Sequence, residues 1–184
     1  PANRNSNNDL VTIGWTGTFS SKVYLDRLSL IFQQLALKVD FKLRIIGNFD
    51  YELPGVNLEV IQWSLENEVR DMQKIDIGVY PLHMDEWVMG KSGLKAIQYL
   101  AFGIPVVATD IGTTPLIIAN NINGYLAKTD KDWLDSLEKL VLNPELRHNM
   151  GAKARKKALE CYSTKVISSE YRMVLQAVMG DSND

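Results

Sequence analysis

The chain has 184 residues, 46% hydrophobic and 23% charged, which suits one soluble globular domain with a sizeable core and is short for two. A formal charge of −2 supplies no basic field for nucleic acid or an anionic membrane surface, and no apolar run approaches the roughly 18 residues of a membrane span. The single cysteine, Cys161, excludes an internal disulfide, and two histidines argue against a structural zinc site, so a reducing cytoplasm with no signal peptide is the expected setting.

Residues 1–9 are polar and rich in asparagine, the composition of a loose lead-in or linker remnant. The folded domain is expected over residues 10–180, with a tail at 181–184. From Leu10 onward, apolar runs of strand length alternate with helical patterns. A first strand over 11–15 enters a turn that holds Gly14 and Gly17. Leu25, Leu28, Ile31, Phe32, Leu35 and Val39 then recur at helical spacing. A second strand is expected over 41–46 and a third over 58–62, followed by a short helix around 66–73. The fourth strand, 75–80, is stopped by Pro81.

Residues 91–102 read as a helix closed by Gly103, where a left-handed cap needs glycine. Pro105 bounds a fifth strand over 105–109, at the one end where a strand tolerates proline. A short sixth strand covers 124–127. Helices follow over 130–142, from Pro144, and from a cap at Ser163 to near Met179.

Strands apolar on both faces and separated by helices predict an α/β fold, a doubly wound six-stranded parallel sheet of Rossmann-like type in a single domain. The commonest order, 3-2-1-4-5-6, puts the topological switch between strands one and four, where ligands of open α/β sheets bind. Two segments therefore stand out, residues 14–22 and 81–95. The first has Gly14 and Gly17, which let backbone approach a ligand closely, beside Thr18, Ser20, Ser21 and Lys22. The second places Gly90, Lys91, Ser92 and Gly93 at a helix start, where free amides favour phosphate, with Lys91 and Lys95 one turn apart.

Taken singly, each piece has an ordinary reading. A lone Gly-x-x-Gly is a turn, Lys95 a solvated lysine, His83 and His148 surface or rim residues, and Trp63 and Trp87 core or rim aromatics. Their coincidence at one switch point is the signal. A P-loop is excluded because the glycine it requires five residues before Gly90 is Asp85. The acidic cluster of a receiver domain is absent after the first strand, and so is a dinucleotide fingerprint.

Trp87-x-x-Gly-Lys-x-x-x-Lys-x-x-Gln-Tyr-x-Ala-x-Gly-Ile-Pro-Val-Val-Ala-Thr, followed by Asp-Ile-Gly, resembles the central signature of group 1 (family 4) retaining glycosyltransferases. Ile13-Gly-Trp-Thr-Gly-Thr resembles their first loop and Asp76-Ile-Gly-Val-Tyr-Pro-Leu their fourth strand. The likeness runs from Val11 to about Val178. It implies the C-terminal, donor-binding half of a GT-B fold, with catalytic partners and acceptor recognition in an N-terminal domain.

The resemblance implies a UDP- or GDP-sugar as donor and transfer to a glycan or lipid-linked acceptor hydroxyl with retention; no carboxylate cluster for a metal is evident in the sequence, so no cofactor or metal is expected. A cytoplasmic location follows, with any membrane association arising through the other domain. Gly17, Thr18 and Lys22 are the expected contacts of the first loop, and Gly47 and Trp63 those about the base. Gly90, Lys91, Ser92, Gly93, Leu94, Lys95 and Gln98 complete the expected nucleotide-sugar site. The family's two glutamates, eight residues apart, fall on Gly90 and Gln98; Gln98 retains a carbonyl for a ribose hydroxyl, whereas Gly90 has no carboxylate to offer. The final helix of that family commonly crosses to the N-terminal domain; here Val166, Ile167, Tyr171, Val174, Leu175 and Val178 give it an apolar face for that contact or for packing on its own domain. The alternatives are a sugar-nucleotide epimerase of GT-B architecture and a non-catalytic nucleotide-binding domain.

Overall fold

The computed structural model describes residues 10–180; the expected lead-in and tail lie outside them. Six parallel strands form one sheet in the order β3-β2-β1-β4-β5-β6. They are β1 (Thr12–Thr16), β2 (Lys42–Gly47), β3 (Leu58–Gln62), β4 (Ile77–Tyr80), β5 (Val106–Thr109) and β6 (Gly124–Ala127). The helices are α1 (Lys22–Asp26), α2 (Ser29–Ala36), α3 (Glu68–Met72), α4 (Glu86–Met89), α5 (Leu94–Phe102), α6 (Thr114–Ile117), α7 (Asp130–Leu142), α8 (Pro144–Cys161) and α9 (Thr164–Gly180). A 3-10 turn, Phe19–Ser21, joins β1 to α1.

Alternation along each strand divides the core. Ile13, Trp15, Ile45, Val79 and Val107 point to the layer built by α1, α2 and α7, where Leu25, Phe32, Leu35, Trp133 and Leu137 meet them. Ile46, Val106 and Ala108 point to the other face, onto Ala96, Tyr99 and Leu100 of α5, Ile117 and Ala154. Both faces are covered, which is why the strands carry apolar side chains at nearly every position.

Gly14 and Gly78 are register partners on β1 and β4, and both leave their side-chain positions open toward the α5 face. A Cβ on Gly78 would lie 2.6 Å from the Tyr99 ring, and one on Gly14 would lie 2.3 Å from Ile75. The Tyr99 hydroxyl, fully buried, donates to the Gly14 carbonyl at 3.1 Å. Gly14 thus makes room for Ile75 in the core rather than for a ligand.

The structure adds two short helices that were not expected, α4 and α6, and departs from two of the expected ones. The single helix read after the first strand is broken between α1 and α2, where the Leu28 amide bonds the Leu25 carbonyl three residues back. Leu25, Leu28, Ile31 and Leu35 stay buried across the break, so periodicity alone does not reveal it. The helix expected from residue 91 begins at Leu94, because Gly93 adopts a left-handed backbone (φ 71°) that no α-helix accommodates. Lys91 therefore precedes the helix instead of standing in its first turn. Gly103 takes the expected left-handed cap (φ 73°).

α8 binds the layers together by seating cations on the carboxyl ends of other helices. Arg147 donates to the carbonyls of Leu140 (2.6 Å) and Val141 (2.8 Å) on α7, Lys157 to Leu116 on α6 (2.7 Å), and Arg155 to Ala101 on α5. α9 is different. Apart from the half-buried Val166, its residues from Thr164 to Met179 are exposed, including Ile167, Tyr171, Val174, Leu175 and Val178. Among the described residues, most of that face is therefore not buried against its own domain. Among the described residues no helix is long and apolar enough to cross a membrane.

Candidate functional site

A cleft of about 300 Å³ opens at the carboxyl ends of β1 and β4, the switch point of the sheet. Trp15, Ser21 and Tyr24 form one wall, Tyr80, Pro81 and Leu82 the floor, and residues 91–95 the other wall. Thr109 holds the floor in place: its hydroxyl accepts from the Leu82 amide (2.9 Å) and donates to the Leu82 carbonyl (3.2 Å).

The loop after β1 uses its own amides. Gly17 N–H donates to the Ile46 carbonyl (3.0 Å), Thr18 N–H to Ser21 Oγ (3.1 Å) and Phe19 N–H to Asn48 Oδ1 (2.8 Å). A Cβ on Gly17 would meet the Trp15 ring at 2.2 Å, so this glycine makes room for the indole. The loop offers side chains to the cleft, chiefly Ser21, rather than a nest of backbone donors.

The opposite wall is built the other way. Asp85 caps α4 by accepting from Val88 N–H (2.9 Å), and Thr113 donates to the Lys91 carbonyl (2.8 Å). These bonds fix the turn that leads into α5. The α5 ladder begins where Ile97 N–H meets the Gly93 carbonyl (3.1 Å), so the amides of Leu94, Lys95 and Ala96 have no intrahelical acceptor. They sit at the positive end of the helix, beside the cleft.

Two ammonium groups complete it. Lys95 Nζ lies 5.0 Å from the Trp15 ring centre and donates to Ser21 Oγ at 3.2 Å. Burial, then repulsion from Lys91, lowers its pKa from 10.5 to about 8. Lys91 Nζ lies 5.0 Å from the Tyr24 ring, which also packs against His83. No carboxylate lines the cleft among the described residues, nor does any group of three histidine, cysteine or carboxylate side chains there stand where a metal could be held. Two cations rest on aromatic rings here with no carboxylate beside them among the described residues, an arrangement that suits an anion.

Of the residues expected from the sequence, Lys91, Ser92, Gly93, Leu94 and Lys95 come together here. Gly17 and Thr18 lie in the first loop but do not line the cleft. Lys22 turns away, bonding both carboxylate oxygens of Asp26 at 2.9 Å with its ammonium 5.1 Å from the Tyr51 ring. Gly47 and Trp63 meet outside the cleft, Trp63 N–H donating to the Gly47 carbonyl (2.7 Å), with the indole 50% exposed. Gly90 ends α4 with open space around its missing side chain, the nearest atom being the Trp87 carbonyl oxygen at 3.8 Å. Gln98 is half-buried, one turn along α5 from Lys95. Trp15, Tyr24 and Tyr80 were not singled out by the sequence. Their aromatic character was visible, and so were Lys91 and Lys95, but the seating of those lysines on Tyr24 and Trp15 was not.

The family model described as glycosyl transferases group 1 matches residues 1–157. The N-acetyl-alpha-D-glucosaminyl L-malate synthase of Bacillus anthracis is 26% identical over 160 residues, covering 83% of this chain and 42% of that protein. The chain spans less than half the length of the curated relatives it matches. The crystal structure of the C-terminal domain of a glycosyl transferase group 1 family protein, LpcC of Francisella tularensis, superposes with a TM-score of 0.66 at 22% identity, covering 84% of this chain and 87% of that one. A TarM mutant of Staphylococcus aureus, in complex with fondaparinux, alpha-GlcNAc-glycerol and UDP, superposes with a TM-score of 0.67 at 22% identity, covering 91% of this chain and 36% of that one.

Proposed function

We propose, from the premise that the chain belongs to the group 1 glycosyl transferases, that it is a donor-binding domain whose cleft holds the diphosphate of a nucleotide sugar. The observation that carries this reading is the pair Lys91 and Lys95, two cations in one cleft with no carboxylate between them. The UDP in the TarM complex supports a uridine donor, with a guanosine donor as the other candidate. The sugar passes to a glycan or lipid-linked acceptor hydroxyl, with retention, against a second domain that supplies the remaining catalytic groups.

Breaking the glycosidic bond builds negative charge on the leaving diphosphate and positive charge on the sugar ring. The amides of Leu94 and Lys95, the Ser92 hydroxyl and the two ammonium groups stabilise the leaving group, and removing one donor of this kind typically raises the barrier by about 2.7–4 kcal/mol. These donors need no metal ion to act. Gln98 is assigned to the ribose, and the hydrogen-bonded strand ends at Gly47 and Trp63 to the base. An epimerase would require acid and base groups at the sugar, and among the described residues the titratable groups lining the cleft are Tyr24, Tyr80 and the two lysines.

Calorimetric titration with UDP, GDP and the two nucleosides tests this reading. Diphosphates should bind at low salt and nucleosides much more weakly. No heat from either diphosphate would overturn it.

A further inference from the structure

Ser21 ties the two walls of the cleft together. Its hydroxyl donates to the Thr18 carbonyl (3.0 Å) and accepts from Thr18 N–H (3.1 Å) and Lys95 Nζ (3.2 Å). One proton and two lone pairs are the full capacity of a serine hydroxyl, so this one is oriented completely. The Lys95 ammonium has three protons, and Ser21 Oγ is the oxygen that receives one of them.

We propose that Ser21 is a positioning residue for glycosyl transfer: it anchors the Lys95 ammonium to the first loop and so fixes where that cation meets the donor. That the donor is a nucleoside diphosphate rests on the reading above, whereas the hold of Ser21 on Lys95 does not. The groups that face Lys95 are Trp15 on β1, Tyr24 on α1, Tyr80 on β4 and Lys91 before α5, with His83 behind Tyr24. Lys22 and Asp26 on α1 neutralise each other and add no counter-ion to the cleft. Without the serine oxygen, Lys95 faces an indole and another cation, which favours its neutral form.

The experiment follows the Lys95 side chain by NMR through a pH titration of the whole chain without ligand, then measures UDP affinity at pH 7.5. Loss of a hydrogen bond to a charged group in Ser21→Ala should lower the Lys95 midpoint by about one unit and weaken UDP about tenfold. Ser21→Thr, which keeps the hydroxyl, should restore both. Ser20→Ala loosens the same loop, since Ser20 Oγ bonds Thr18 Oγ1 at 2.9 Å, but should leave the Lys95 midpoint in place. If Ser21→Ala fails to fold, Ser21→Cys removes the strong acceptor in nearly the same shape and takes its role. An unmoved Lys95 midpoint in the serine variant, or an equal shift in Ser20→Ala, overturns the proposal. A shifted midpoint in a chain that binds no UDP upholds the hold on Lys95 and defeats the nucleotide reading instead.

Discussion

The Lys95 ammonium lies 5.0 Å from the centre of the Trp15 ring, and the two residues come from α5 and β1, on opposite sides of the switch point. A ring face attracts a cation but does not neutralise it. Lys91 stands in the same relation to Tyr24, and each lysine raises the energy of the other. An anion between them relieves both strains at once.

Lys91→Ala should therefore weaken UDP or GDP binding by about 1.5–3 kcal/mol, the range for hydrogen bonds to charged groups, and leave uridine or guanosine binding nearly level. Because Lys91 precedes α5 and touches Tyr24, folding stability should fall by no more than about 0.5–1 kcal/mol, the worth of one exposed cation–π contact. Calorimetry at low salt and a urea melt check the two halves. Equal diphosphate affinities for wild type and variant would remove Lys91 from the site.

Lys95 gives the site a pH dependence. Its folded pKa of about 8 lies below the ordinary 10.5, so between those values the unfolded chain holds the proton that the folded chain has released. Stability should accordingly rise with pH across that window, and the penalty of the buried charge should be fully present below it. Diphosphate affinity should run the opposite way, falling as pH climbs through about 8. Lys95→Met should flatten both profiles. Denaturant melts and UDP titrations between pH 7 and 10 measure them.

Gly93→Ala tests the turn into α5. The residue has φ 71°, and an added Cβ would lie 2.2 Å from Ile117 Cδ1. Left-handed strain and overpacking together should lower stability by about 2–4 kcal/mol. UDP affinity should fall as well, since the free amides of α5 follow directly. A variant as stable as wild type would show that the turn relaxes without harm.

Gln98→Ala separates a ribose contact from a residue of the helix surface. With its carbonyl on a ribose hydroxyl, truncation should reduce affinity for nucleoside and diphosphate alike by about 0.5–1.5 kcal/mol. Unchanged affinity for both would withdraw the ribose assignment.

The sheet order was legible because strands such as β4 and β5 are apolar at successive positions, which only burial on both faces explains. The switch point, and with it the segment 91–95, followed from that order. Other features were hidden for physical reasons. Gly90 and Gly93 read as phosphate glycines at the start of one helix, whereas Gly93 is the point at which the chain turns into a helix that begins only at Leu94. Lys22 was credited with a free charge, although Asp26, four residues on, stood ready to claim it. The seats of Lys91 and Lys95 on Tyr24 and Trp15 join segments about 70–80 residues apart, beyond the reach of local spacing.

The paired glycines at the centre of the sheet have a consequence for the distance between layers. Gly14 and Gly78 open a slot into which Tyr99 and Ile75 sink, so α5 rides low over β1 and β4. The height of that helix sets how far its free amides and Lys95 stand above the strand ends. A methyl group added at Gly78 would press on Tyr99 and lift α5 like a shim, and the cleft wall of residues 91–95 would rise with it; one at Gly14 would press on Ile75 instead. A residue at which a ligand need never arrive, Gly78, thus calibrates the depth of the cleft.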